Sequence, residues 1–226
     1  MKKVFIGIFL FCTTMYYGNA QPGFVKELSK GKRQTLIVYG TSITKMGNGQ
    51  LWVNEVGRAI NKKYNNKLTL YNSGASGQYS VWGLKNLQDS VLKRMPDAVI
   101  IEFAVNDAVD RFELTPAQAK ANTNEIINKI LEVNPKADVI LMLVAEHPLG
   151  EAAKKRPDLA IFNDNYREIA KERDLLLIDI ASTFRNIVNE SGVVELKKYQ
   201  GDGVHLTLRG ALDIVLPGVL KALKIE

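Results

Sequence analysis

Five short apolar runs punctuate the chain, at 35–39 (TLIVY), 68–71 (LTLY), 98–103 (AVIIEF), 138–144 (DVILMLV) and 175–180 (LLLIDI). They are rich in Ile, Val and Leu and too short for buried helices, the pattern of strands buried on both faces of a sheet. Between them apolar positions recur at helical spacing over 51–64, 81–94, 115–133, 157–173 and 207–223. Thr115 followed by Pro116 supplies a capping hydroxyl and then a proline at the first helical position, a start signal. Pro217 lies inside the last helical stretch and should kink or end it. Strand and helix alternating in this way predict an α/β fold, a parallel sheet with helices on both faces. No internal repeat, low-complexity tract or linker divides the chain, so 21–226 reads as a single domain.

That architecture says where chemistry belongs. Open parallel sheets bind ligands beyond the carboxyl ends of their strands, here just after Tyr39, Tyr71, Phe103, Val144 and Ile180. The first strand runs into Gly40-Thr41-Ser42-Ile43-Thr44, where Gly40 permits a tight turn and Ser42 is a candidate nucleophile. A serine alone serves equally well as a turn or capping hydroxyl. The second strand leads into Asn72-Ser73-Gly74-Ala75-Ser76-Gly77, whose glycines allow close backbone approach and free N–H groups to face an anion. This loop lacks the spacing of a dinucleotide fingerprint and the lysine of a P-loop. Behind the third strand stands Asn106, whose side-chain amide could join the Gly74 N–H in holding a developing oxyanion.

Far downstream lies Asp202-Gly203-Val204-His205, and the chain has only two histidines, His147 and His205. A carboxylate three residues before an imidazole can hold its Nδ1 proton and leave Nε2 to take a proton from a serine. By itself an aspartate so placed is also an ordinary neighbour of a solvated histidine. His147, in Glu146-His147-Pro148, is the rival base, but it lacks a carboxylate at matched spacing and reads better as a pocket residue.

Taken together, Gly40-Thr41-Ser42-Ile43, Gly74, Asn106-Asp107 and Asp202-x-x-His205 resemble the four blocks of the SGNH (GDSL-type) hydrolases, in order and over nearly the whole chain after residue 35. The resemblance implies a flavodoxin-like three-layer α/β/α sandwich with a five-stranded parallel sheet. It also implies Ser42 as nucleophile, His205 as general base and then acid, and Asp202 as its orienting partner. The oxyanion hole would be the backbone N–H of Ser42, that of Gly74 and the Asn106 amide. Two positions depart from the family pattern. Thr41 stands where aspartate is usual before the serine, and a threonine hydroxyl can replace that aspartate in part. Ala104 stands where glycine is usual, and the loop still forms if the backbone there keeps a negative φ.

Composition narrows the setting. Lys2 and Lys3, the apolar run 4–12, and Gly18 and Ala20 form the three parts of a secretory signal peptide over 1–20; an uncleaved anchor is the alternative. Cleavage after Ala20 removes two lysines, taking the formal charge from +6 to +4, too mild to indicate a nucleic-acid partner. It also removes Cys12, the sole cysteine, which follows Leu10 and Phe11 rather than the small residues of a lipidation site. The mature chain then has neither disulfide nor thiol nucleophile, and no stable membrane insertion is expected. Glu102, Asp107 and Asp110 have no histidine among them, so neither a metal nor another cofactor is expected. Trp52, Tyr79 and Trp82 read first as core and second as sugar-stacking rings. The charged stretch 146–157 reads as a flap or a solvated loop.

The expectation is an exported serine esterase, periplasmic or extracellular, that hydrolyses short acyl esters, acetyl first, on carbohydrate. A lysophospholipase or thioesterase is the enzymatic alternative. A non-catalytic carbohydrate-binding protein is kept open by Thr41, and a nucleotide- or flavin-binding module by the glycine loop alone.

Overall fold

The computed structural model describes residues 20–225; the expected signal peptide, with Cys12, lies outside the described residues except for Ala20. Among the described residues five strands, β1 (Gln34–Gly40), β2 (Leu68–Asn72), β3 (Ala98–Glu102), β4 (Asp138–Leu143) and β5 (Leu176–Asp179), pair in parallel in the order β2-β1-β3-β4-β5. The expected runs thus form strands, each within a residue or so of its predicted span. Strand order reverses between β1 and β3, the switch point where doubly wound folds open a crevice for ligands.

Because strand side chains alternate between faces, the sheet carries two cores. Leu36, Val38, Ile100, Ile140, Met142 and Ile178 pack on one face. There they meet α1 (Gly23–Ser29), α3 (Asn48–Lys63), α9 (Ile180–Leu196) and α10 (Leu216–Ala222). Ile37, Tyr39, Val99, Ile101, Leu141 and Leu177 pack on the other face, against α4 (Ser80–Ser90), α6 (Pro116–Val133) and α8 (Leu159–Glu172). The three layers are those expected. Each such side chain taken fully from water contributes about 1.5–3 kcal/mol, and β3 is buried at every position. The edge strand β2 departs from the expectation of two-sided burial: Leu68 is buried while Thr69 and Tyr71 remain exposed.

The Thr115-Pro116 signal holds in detail. Thr115 Oγ1 accepts the Gln118 N–H at 3.2 Å, its own N–H donates to Gln118 Oε1 at 2.9 Å, and Pro116 opens α6. Pro217 does not end its helix. A π-helical stretch, Gly210–Val215, leads straight into α10, and the wider turn accommodates the missing N–H and the proline ring. The sequence reading missed α1 and α9. In α9 the cap is Asp179, whose Oδ1 accepts the Ser182 N–H at 2.9 Å, hidden within an apolar run that continues the strand pattern. Short helices α2 (Ser42–Lys45), α5 (Ala104–Asp107) and α7 (Glu151–Lys154) sit in the loops beyond the carboxyl edge. Among the described residues no helix is long and apolar enough to cross a membrane.

Candidate active site

Pairing of β1 with β3 sets Gly40 beside Glu102, and a side chain at Gly40 would strike the Glu102 carbonyl and carboxyl group. The buried Glu102 carboxyl uses that space to accept from Thr41, at 3.1 Å from its N–H and 2.8 Å from its hydroxyl. Thr41 Oγ1 in turn accepts the Ile43 N–H at 3.2 Å and so caps α2, the turn that presents Ser42. The Thr41 hydroxyl thus supports the turn from the position where aspartate is usual, and an aspartate here would set a second carboxylate against Glu102. Burial pushes the Glu102 carboxyl up to about 8, even though the two Thr41 bonds act against it. The other departure, Ala104, is the first residue of α5, whose helical backbone needs no glycine.

His205 Nε2 lies 3.1 Å from Ser42 Oγ, and His205 Nδ1 lies 2.8 Å from Asp202 Oδ2. Asp202 Oδ1 also accepts the N–H groups of Val204 at 2.9 Å and His205 at 2.7 Å. Half-burial works against the Asp202 carboxylate, but these bonds outweigh it and hold the carboxyl below its ordinary value. Several contacts fix the loop. The buried Gln200 side chain donates to the Val144 and Val204 carbonyls at 2.9 and 3.1 Å. Leu149 N–H donates to the Asp202 carbonyl at 2.8 Å. Gly203 has a φ of 76°, and a Cβ there would run into the His147 carbonyl.

Asn106 Nδ2 donates to the Gln78 carbonyl at 2.8 Å, which leaves its second N–H uncommitted to that bond, while Oδ1 accepts from Arg156 Nη2 at 3.2 Å. Ser42, Asn106, Asp202 and His205 all line one cavity of about 740 Å³. Gly74 is not part of its wall; Ser76 and Gly77 are. The Gly74 N–H, expected to face an anion, donates to Asn72 Oδ1 at 3.1 Å, and a Cβ there would strike the Thr44 hydroxyl. Asn72 also donates to the Thr44 carbonyl at 2.6 Å, clasping the glycine loop to α2, a role that its place at a strand end could have signalled.

The remaining candidates separate cleanly. His147 Nε2 is buried without a partner among the described residues, and the adjacent Glu146 turns away to Arg167 at 2.8 Å and Arg185 at 2.7 Å. Asp107 Oδ1 accepts the Ser80 N–H at 2.7 Å at the start of α4, and burial pushes its carboxyl up to about 7. Trp52 is fully buried, with Nε1 donating to the Ile43 carbonyl at 2.9 Å. Trp82 packs on Tyr39. Tyr79 stacks on Phe112 with centroids 4.0 Å apart, and Phe112, which the sequence reading missed, lines the cavity beneath the Arg111 guanidinium. The stretch 146–157 forms one cavity wall. Besides Leu149 it is tied by the Lys155 carbonyl, which accepts the Asp110 N–H at 3.0 Å.

Residues 38–211 match the model of the GDSL-like lipase/acylhydrolase family. Among solved structures the chain is similar to a putative GDSL-like lipase from Parabacteroides merdae, at 18% identity and a TM-score of 0.73, covering 86% of this chain and 97% of the other. It is similar also to an acetylxylan esterase from Geobacillus stearothermophilus, at 19% identity and a TM-score of 0.73, covering 87% and 96%. Two further structures of that esterase are described as catalytic mutants, one at a serine and one at an aspartate. A lipase/acylhydrolase from Enterococcus faecalis matches at 24% identity and a TM-score of 0.68, covering 85% and 95%. No curated protein matches the chain.

Proposed function

The chain belongs to the GDSL-like lipase/acylhydrolase family, serine hydrolases of ester bonds, and we propose that it removes short acyl groups, acetyl first, from carbohydrate alcohols outside the cytoplasm. The observation that carries this reading is the continuous relay Ser42–His205–Asp202, opening on a cavity whose walls include the charged Asp110, Arg111, Glu151, Lys154 and Lys155. Such walls suit a hydroxyl-rich alcohol. The acetylxylan esterase among the similar structures supports the same choice, and the sequence of residues 1–20 supports export.

In this reading Ser42 Oγ attacks the ester carbonyl while its proton passes to His205 Nε2. Asp202 holds the Nδ1 proton and stabilises the imidazolium. Charge developing on the carbonyl oxygen meets the Ser42 N–H and the free Asn106 N–H, while the Gly74 N–H, bonded to Asn72 Oδ1, braces the loop beside them. Each such donor is typically worth ~3–4 kcal/mol. The bond to the alcohol breaks as His205 returns its proton to the leaving oxygen. A water molecule then repeats the sequence on the acyl-enzyme and releases the acid.

Nitrophenyl esters from acetyl to palmitoyl, followed by acetate release from acetylated xylan and pectin, test the proposal. The expected result is highest kcat/KM on the acetyl ester and release from a polysaccharide. A second reading, a lipid-directed acyl hydrolase, rests on Met46, Val109, Phe112 and Leu149, which give the same cavity apolar ground for a longer chain. Higher kcat/KM on the long-chain esters would establish it instead. Absence of a fluorophosphonate adduct on Ser42 in the folded protein would leave a binding role only.

A further inference from the structure

Arg156 was not among the residues that the sequence singled out, yet its side chain bonds directly to the Asn106 amide of the proposed oxyanion site. It follows the short helix α7 and precedes Pro157, which biases its backbone away from helix and ends that element. Its side chain reaches α5, fifty residues earlier in sequence. Nε donates to the Val105 carbonyl at 2.7 Å and Nη2 to Asn106 Oδ1 at 3.2 Å, while Nη1 donates to the Ala152 carbonyl at 3.3 Å. One edge of the guanidinium thus grips a backbone oxygen and the next residue's side-chain oxygen. Among the described residues Arg156 makes no contact ion pair; Asp202 and Glu102 act on its charge only at longer range, and its hydrogen bonds all go to neutral oxygens, one of them the Asn106 amide.

An asparagine amide has two orientations related by a half-turn, and only one points an N–H at a developing oxyanion. Gln78 and Arg156 together allow one: the carbonyl of Gln78 needs a donor and Arg156 needs an acceptor. A cation on Oδ1 also draws electron density from the amide and strengthens Nδ2–H as a donor. We propose that Arg156 is a positioning residue for catalysis, fixing the orientation of Asn106 and polarising its amide for the oxyanion. The inference rests on Asn106 serving as an oxyanion donor. Because the charge it serves exists only in the transition state, its loss falls on kcat and leaves KM for a small neutral ester nearly unchanged.

A double-mutant cycle on nitrophenyl acetate separates this role from simple anchoring of the α7 segment. R156M is expected to lower kcat about tenfold, a fraction of the ~10²–10³ lost with a whole oxyanion donor, with KM within about twofold. In the N106A background the same change should cost nothing further, since the group through which it acts is gone. R156K, a compact ammonium that cannot span both oxygens, should fall between wild type and R156M, and it carries the same cycle if R156M does not fold. Additive losses in the double variant, a loss confined to KM, or wild-type kcat in R156M would each overturn the inference. N106A with wild-type kcat would overturn the oxyanion assignment and the inference together. N106A impaired with R156M unimpaired would overturn the inference alone.

Discussion

Ser42 and Asn106 are 8% and 5% exposed, on turns that leave two paired strands of the sheet. The side chains of Asp202 and His205, on a loop near the end of the chain, are 45% and 52% exposed. The first pair is placed by strand pairing and by polar groups packed behind it: the buried Glu102 under Thr41, the buried Asp107 under Ser80, and the half-buried Arg156 on Asn106. The second pair is placed by backbone geometry, with Gln200 and the 147–149 segment holding the loop while the charges remain in water. Polar groups buried beside the nucleophile make that half rigid and sensitive to protonation. An exposed carboxylate–imidazole pair adds little to stability, since solvent screens it, so the base half depends on its loop.

The sharpest test of the comparison removes one reacting group from each half. Ser42→Ala and His205→Ala should each reduce kcat on nitrophenyl acetate by at least about 10⁴-fold, and the double variant should be little worse, because the two act as a unit. A double variant much slower than either single one would show that the halves contribute separately. Asp202→Asn comes next. It keeps the shape but reverses the tautomer that frees Nε2, and an expected loss of about 10³–10⁴ in kcat should come with an unchanged melting temperature.

A smaller effect distinguishes two glycines of the base loop. Gly203→Ala must adopt the strained φ and push into the His147 carbonyl, so a stability loss of at least about 2 kcal/mol is expected, with lower activity. Gly201→Ala meets nothing within 4 Å and should leave both melting temperature and kcat unchanged. Equal melting shifts in the two variants would refute the view that backbone geometry builds this half.

The mildest expected change belongs to the buried half. Burial raises Glu102 to about 8 and Asp107 to about 7, so the folded protein retains protons that the unfolded chain releases in the ordinary carboxylate range. Their stabilising share is therefore complete below that range and is lost as the pH rises towards 8. Glu102→Gln mimics the protonated form and can still accept from Thr41. Urea midpoints measured from pH 5 to 9 should decline less steeply in this variant than in wild type, and an unaltered slope would count against the buried acid.

Much of this was legible along the chain because it is periodic or local. Ile-, Val- and Leu-rich runs form strands since only a doubly covered sheet buries both of their faces, and Thr115-Pro116 starts a helix by satisfying N–H groups within its own first turn. Asp202 reaches His205 within one turn, so that spacing too carries its meaning locally. The sequence therefore determined the layers, the sheet and the candidate residues at strand ends. Tertiary structure alone decided which side chains meet across elements: Arg156 on Asn106, Glu102 beneath Thr41, Asn72 holding the Gly74 N–H, Phe112 against Tyr79. Such pairs leave no period and no fixed spacing. They arise when packing brings distant segments within hydrogen-bond reach, and a buried polar group must then find its partner wherever the fold supplies one.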